Sequence, residues 1–490
     1  MRFLLLLVSL GIGLRADQFD PVRALIRAKM AEQKVHAVAV AVAQHGTILW
    51  AGGYGTVDVA GKTQTTPDTL FSMASISKPI TATALMTLVE KGKLDLDQPI
   101  NRYLAPSKIV NRAGGAPATV RQVLNHTSGL PLHYQFFYED DGAFANPPTR
   151  AETIRRYGNL IRPPGERYEY SNLGFGVIDA LITKLSGKEY SAYAKEAVFK
   201  PLGMDAAIPY KTPYPNATYA ERWAADGTRL PFYEFDHPGA SAVYTSANSL
   251  AKFGMFHAKT PEPGQKAILK RATLDEMHRP TAVEGSNSGY GIGFRVSGTK
   301  QGLHEYGHTG GMGGVSTALR ILPEQDLVVV VLTNGRGSLV NDVSNEIIKI
   351  MVPGAKIIRG EPVKPEPLPA SLDGIWTGFV QTHQTRLPLR LDIKGQKISA
   401  KLGTADVVEV TEPKMEAGQL LGKFHGDIGT PDANRLPYTL SLVLKHRGAL
   451  LNGGLVAISD PQPKVGNALT SWVELKRAAP AAGKPAPKKK

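Results

Sequence analysis

The chain has 490 residues, 42% hydrophobic and 20% charged, with 50 Gly, 35 Pro, 12 His and no Cys. That length calls for two or three domains, each burying enough surface to fold without covalent staples. The missing Cys excludes disulfides, thiol nucleophiles and thiolate metal sites, and the net charge of +14 makes nucleic-acid binding a question of where that charge lies.

Residues 1–16 open on Met1-Arg2, run apolar from 3 to 14 and lead through Arg15 and Ala16 to Asp17. This predicts a signal peptide and a periplasmic or secreted protein, with a buried N-terminal helix as the alternative. The run is too short to span a bilayer. Residues 21–33 read as a helix, and 36–44 with 47–54 as a hairpin turning at His45-Gly46. Mainly helical patterns follow, until a second hairpin at 314–322 and 327–333 and a helix at 340–351. Strands at both ends of 17–352 predict an α+β domain, an antiparallel sheet flanked by helices with a mainly helical insertion. Residues 353–370 hold five prolines and predict a stiff linker. Period-two runs such as Leu387, Leu389, Leu391 and Ile393 then predict an all-β, barrel-like domain over 371–475.

Residues 476–490 are almost wholly Ala, Pro, Gly and Lys/Arg and predict a disordered basic tail. The leader and tail hold eight of the excess positive charges, leaving +6 elsewhere. With no basic stripe interleaved with aromatics, nucleic acid is not expected as a partner. The tail reads as a solvated end, with weak contact to anionic envelope polymers as the alternative. Oligomeric state has no signature here.

Three short motifs can carry chemistry. In Ser75-Ile76-Ser77-Lys78 the i and i+3 side chains share a helical face, which places an amine one turn above a hydroxyl. A desolvated Lys78 would accept the Ser75 proton. Ile80, Ala84, Leu85, Leu88 and Val89 recur so as to bury one helix face. Ser-x-x-Lys also occurs at Ser249 and Ser297, where a capping or surface serine is the plainer reading. In Tyr170-Ser171-Asn172 a phenol and a carboxamide can point the same way, for proton relay and for hydrogen bonds to lysine and substrate. Tyr157-Gly158-Asn159 and Tyr214-Pro215-Asn216 share that spacing. His308-Thr309-Gly310-Gly311 heads the second hairpin, where glycines admit a substrate backbone and a free N–H can meet an oxyanion. Taken singly, these are equally a surface imidazole and a mobile turn. The histidines show no His-x-His or His-Glu-x-x-His pattern, so neither metal nor cofactor is expected.

Taken together and in this order, the motifs resemble the Ser-x-x-Lys, Tyr-x-Asn and Lys/His-Thr-Gly set of the serine β-lactamase and penicillin-binding-protein superfamily. The class C β-lactamase-like branch, which includes DD-carboxypeptidases, D-aminopeptidases and esterases, is the nearest in pattern. The stretches Leu124-Asn125-His126-Thr127-Ser128-Gly129-Leu130 and Gly289-Tyr290-Gly291-Ile292-Gly293-Phe294 are similar too. The resemblance implies a Ser75 nucleophile, acid–base work by Lys78 and Tyr170, and Asn172 positioning lysine and substrate. It further implies an oxyanion hole from the Ser75 and Gly311 N–H groups, with His308 and Thr309 on the substrate side and His126 structural. His in place of Lys at 308 removes a fixed cation and favours peptidase or esterase over β-lactamase. The C-terminal domain resembles the lipocalin-like appendages of some members. The expected protein is thus an exported serine hydrolase acting through an acyl-enzyme on small-molecule or peptide substrates; the alternatives are a true β-lactamase and a catalytically silent recognition protein.

Overall fold

The computed structural model describes residues 17–58, 60–209, 218–358, 360–433, 435–459 and 463–478. The expected leader, Tyr214 with its motif, and residues 479–490 of the expected tail lie outside the described residues.

Helix α1 (Asp20–Gln33) starts with proline in its first turn and ends at Lys34 in the left-handed region. Strands β1 (Ala37–Gln44) and β2 (Thr47–Gly55) follow, joined by His45 and Gly46, both at positive φ as a tight hairpin requires. The Ala/Val alternation of β1 serves two cores. Ala37, Ala39, Ala41 and Ala43 face the helical side, where small side chains let helices approach; Val38, Val40 and Val42 face α1 and the helix that closes this domain.

Helices α2 (Ser77–Glu90), α3 (Arg150–Tyr157), α4 (Asn172–Ser186) and α5 (Ala247–His257) build the insertion, with a small antiparallel ribbon of β3 (Phe136–Tyr138) and β4 (Tyr233–Phe235). The chain then returns to the sheet through β5 (Ala282–Gly285), β6 (Ser288–Tyr290), β7 (Arg295–Ser297), β8 (Glu305–Met312), β9 (Val315–Leu322) and β10 (Leu327–Thr333). Helix α6 (Leu339–Met351) packs on its outer face. Among the described residues the order is β5-β6-β7-β8-β9-β10-β1-β2, antiparallel throughout. The pairing of Val40 with Val331 joins the first strand to the last, and the α+β reading holds.

One expectation changes. Helix α2 is not buried on a single face: from 77 through 88 every residue is buried. Ser77, Lys78, Thr81, Thr83 and Thr87 made the helix look two-faced, yet each finds a partner inside the protein.

Beyond 352 the chain stays pinned to the sheet. The Leu303 N–H donates to the Lys356 carbonyl at 3.0 Å, and Glu366 pairs with Met415 through both backbone groups. Strands β11 (Gly374–Gln381), β12 (Arg386–Lys394), β13 (Lys397–Leu402), β14 (Val408–Glu409), β15 (Thr411–Glu416), β16 (Gln419–Gly426), β17 (Tyr438–Arg447), β18 (Leu450–Ser459) and β19 (Ala468–Arg477) form the second sheet, in the order β14-β13-β12-β11-β19-β18-β17-β16-β15. Its edge strands β14 and β15 are separated by Val410 alone, so the sheet curls to near closure. Strand β19 runs two residues into the stretch that composition assigns to the tail, because Lys476 and Arg477 pair with Thr377 and Trp376.

The barrel docks on the insertion. Tyr134 and Ala468 exchange both backbone hydrogen bonds, and the Phe136 N–H donates to Asn467 Oδ1 at 3.0 Å. The buried Asp432 carboxylate accepts from Tyr157 of α3 and lies 3.3 Å from Arg156. No helix among the described residues is long and apolar enough to cross a membrane.

Candidate active site

Ser75 sits in a single 3-10 turn, Ala74–Ile76, that feeds α2. Ala74 is held at φ 46°, a left-handed conformation that costs of order 1 kcal/mol for a residue with a Cβ. The turn is clamped on both sides: the Met73 N–H donates to the Val243 carbonyl at 2.8 Å, and Thr317 Oγ1 donates to the Met73 carbonyl at 3.0 Å. The result is selective exposure. From 71 through 88, Ser75 alone is not buried.

Lys78 is fully buried, and its Nζ has three oxygen neighbours: Ser75 Oγ at 3.1 Å, Asn172 Oδ1 at 2.8 Å and the Ala240 carbonyl at 3.2 Å. Burial, reinforced by the nearby Arg295 cation, pushes its pKa well below the ordinary lysine value. The three contacts then acquire a direction. A neutral amine has two N–H bonds, which suit the two carbonyl-type acceptors, Asn172 and Ala240. Its lone pair is left for the Ser75 hydroxyl proton, the orientation a general base needs.

Tyr170 lies within hydrogen-bonding reach of Ser75, and burial raises its pKa, so it is a phenol with a proton to give. Its ring centroid is 4.7 Å from Lys78 Nζ. Ser171 caps α4: its Oγ accepts from the Gly174 N–H at 3.0 Å and donates to the Pro131 carbonyl at 2.7 Å. That cap sets Asn172 at the first turn with its amide oxygen toward Lys78. The Ser171 N–H in turn donates to His126 Nδ1 at 3.2 Å, and the His126 ring packs 4.5 Å from Tyr170 and 4.6 Å from Tyr290. His126 supports the loop that carries the second motif.

Strand β8 closes the other side. A Cβ on Gly310 would lie 2.2 Å from the Met73 carbonyl and 3.1 Å from Ala74 Cβ, so glycine is what lets the strand press against the Ser75 turn. Thr309 and Gly311 are exposed on this strand, whereas His308 is buried. Both His308 nitrogens are occupied. Nδ1 is 2.6 Å from the Thr309 carbonyl, which can only accept, so Nδ1 carries the proton and Nε2 accepts from Tyr290 Oη at 2.9 Å. Burial lowers its pKa well below the ordinary histidine value, and it is neutral. Its ring reaches the site as packing, 6.3 Å from Tyr170.

The motif copies among the described residues have structural places. Ser249 accepts from the Asp205 N–H at 2.9 Å, Ser297 lies in β7, and Tyr157 is bound to Asp432. Arg295, absent from the motif reading, is a further site residue. It forms a two-armed ion pair with Glu284, and its charge acts on Lys78, Tyr170, His126 and His308. It stands one residue past the Gly289 to Phe294 stretch, where a lone arginine carries no periodicity or spacing to mark it. A cavity of about 520 Å³ opens beside Arg295, His308 and Thr309. Among the described residues no group of His, Asp and Glu is arranged to hold a metal ion.

A family model described as Beta-lactamase matches residues 22–349. A putative penicillin-binding protein, PbpX, of Bacillus subtilis (strain 168) is 29% identical over 317 residues, 63% of this chain and 74% of that protein. The chain spans 57% and 63% of the length of two further curated relatives. Among solved structures, the octameric penicillin-binding protein homologue from Pyrococcus abyssi matches 93% of this chain and 99% of its own, with a TM-score of 0.59 at 22% identity. The D-amino acid amidase from Ochrobactrum anthropi SV3, complexed with D-phenylalanine, matches 68% of this chain and 98% of its own, with a TM-score of 0.55 at 21% identity.

Proposed function

The chain belongs to the beta-lactamase family, and from that premise we propose that it is an exported serine hydrolase acting through an acyl-enzyme on amides or esters, with peptides of D-amino acids or cell-wall fragments as substrates. The observation that carries this reading is the buried Lys78 amine, held by Asn172 and Ala240 with its nitrogen 3.1 Å from Ser75 Oγ, in a run where Ser75 alone is not buried. Lys78 takes the hydroxyl proton as Ser75 Oγ bonds to the substrate carbonyl carbon. The Ser75 and Gly311 N–H groups receive the oxyanion. As the tetrahedral intermediate collapses, the leaving amine or alcohol takes a proton from Tyr170, which recovers one from Lys78. Water then repeats the sequence on the ester, releasing the acid and restoring the Ser75 hydroxyl.

The acid limb follows from the lowered lysine pKa. Below it Lys78 is an ammonium without a lone pair, so turnover rises with pH through that lowered value. His308, neutral and with both nitrogens taken, supplies no fixed cation for a β-lactam carboxylate, which supports peptidase or esterase over β-lactamase. Similarity to the D-amino acid amidase supports the D-amino-acid class. The barrel is read as a lipocalin-like appendage, and export rests on residues 1–16.

A panel of p-nitrophenyl esters, D-amino-acid amides, D-Ala-D-Ala peptides and nitrocefin tests the reading, alongside Ser75→Ala. Hydrolysis of an ester or D-amide that the variant loses is the expected result. Unchanged turnover in Ser75→Ala would overturn it, rapid nitrocefin turnover would move it to β-lactamase, and no mass adduct on Ser75 with a fluorophosphonate would favour a silent recognition protein.

A further inference from the structure

Asp179 is a buried carboxylate with no part in the steps above. It lies on α4, seven residues past Asn172, and is fully buried. Its Oδ2 accepts the Gly239 N–H at 2.7 Å, and its Oδ1 lies 3.1 Å from Arg150 Nε of α3. Gly239 and Ala240 belong to the short turn Pro238–Ser241. The opposite side of that turn faces α2: the Gly239 carbonyl accepts from Thr81 Oγ1 at 2.6 Å, and the Ala240 carbonyl accepts from Lys78 Nζ at 3.2 Å. Thr81 and Lys78 are three residues apart and share a face of α2. The turn is therefore a wedge between two helices, held by a carboxylate on one side and by the base lysine and a threonine on the other. It has no slack, since a Cβ on Gly239 would lie 2.6 Å from the Phe175 carbonyl and 2.8 Å from Asp179 Cβ.

We propose that Asp179 is a positioning residue for acylation: by fixing the Gly239 peptide from behind, it sets the Ala240 carbonyl, and through it the direction of the Lys78 lone pair. The inference rests on the Ser75–Lys78 reading above. Of the two acceptors that orient the amine, Asn172 is anchored by the α4 cap, whereas Ala240 has its place from this wedge. Without the carboxylate the Gly239 N–H is left buried and unpaired, and the peptide is free to rotate toward another acceptor. Losing the second acceptor turns the lone pair away from Ser75, which slows attack without changing how substrate binds.

The same carboxylate makes the wedge sensitive to pH. Burial raises its pKa to about 7; Arg150 and the Gly239 N–H pull it down, while Asp236 beyond β4 and Glu189 push it up. Tyr190, which donates toward Thr81, is a further titratable group that interacts with it among the described residues. Below neutrality Asp179 takes a proton, the Arg150 pair is lost and its hold on Gly239 weakens.

The test compares Asp179→Ala and Asp179→Asn in the full chain, reading the rate of fluorophosphonate labelling of Ser75 and kcat and KM for a p-nitrophenyl ester between pH 5.5 and 9. The alanine variant is expected to label and turn over roughly 10-fold more slowly with KM within 2-fold of wild type. The asparagine variant, which keeps an oxygen for Gly239, should recover most of that at pH 8 and lose the inflection near neutrality. Arg150→Met, which removes the cation that lowers the Asp179 pKa, should move the inflection to higher pH. Wild-type rates and pH profile in both Asp179 variants, a loss confined to KM, or equal loss in alanine and asparagine variants would overturn the proposal. Ser75→Ala separates the two claims: if it retains activity the acyl-enzyme reading itself fails, and if it is inert while Asp179→Ala is not impaired, the positioning role alone fails.

Discussion

The molecule's two large sheets are both antiparallel, yet they are built on opposite terms. On strands β13 and β17 of the C-terminal sheet, side chains alternate: Ile398, Ala400 and Leu402 and Leu440, Leu442 and Leu444 point inward, and mostly polar residues point out. Its interior is apolar, with Trp376 satisfied by a single bond from Nε1 to the Leu372 carbonyl. The core of the larger domain instead encloses Lys78, Thr81, Thr83, His126, Asp179, Asp236 and His308. Each such group is tolerable only because a partner from a distant part of the chain meets it. A core that spends its interior on polar groups can shift their protonation and aim them; one that does not can only hold its shape.

If that contrast is right, substitutions in the two cores should separate activity from stability. The largest effect is expected at Lys78. Lys78→Met should lower ester turnover by about 10²–10⁴-fold, the range for loss of a general base, while thermal unfolding stays at or above the wild-type temperature because an apolar chain replaces a desolvated amine. A drop in turnover matched by an equal drop in folded protein would break the comparison. Trp376→Ala should do the reverse, costing about 3–5 kcal/mol of stability in urea unfolding and leaving the Ser75 labelling rate of the folded molecules unchanged.

The smallest effect sharpens the boundary between the two. Asp432, on the barrel side, is held well below the usual carboxylate range, against its burial, by His383, Tyr157 and Thr430. Asp432→Ala should cost about 1–3 kcal/mol, the range for stranding buried hydrogen-bond partners. Because the folded pKa is depressed, that contribution is complete above the unfolded value of about 4 and fades as the pH falls through the folded one. Melting temperatures of wild type and variant should thus differ at pH 7 and converge toward pH 2. A constant difference across that range would remove Asp432 from the interface account.

Much of the site was legible because its motifs are local. Ser75 and Lys78 share one helical turn, and Tyr170 and Asn172 flank one cap, so their spacing allows each pair to meet. The period-two pattern likewise marked the barrel strands, and the Ala/Val run marked β1. The misreading of α2 has a physical cause: threonines that bond to the carbonyl three or four residues back, or to Tyr190, Tyr193 and His257, are indistinguishable in sequence from a solvated face. Arg295 and Asp179 were invisible for a related reason, since a single charged residue has no pattern until its partners are known.

Periodicity and short spacing by themselves determined the strand-rich ends of the first region and alternating strands of the second, and marked Ser75, Lys78, Tyr170 and Asn172 as candidates that the family resemblance then singled out from their copies. Tertiary structure decided the rest. Whether Lys78 is an amine or an ammonium, what holds Ala240 in place and how the barrel docks all depend on burial and on partners tens to hundreds of residues away. Those are properties of a local dielectric and a three-dimensional neighbourhood, and neither exists until the chain has folded.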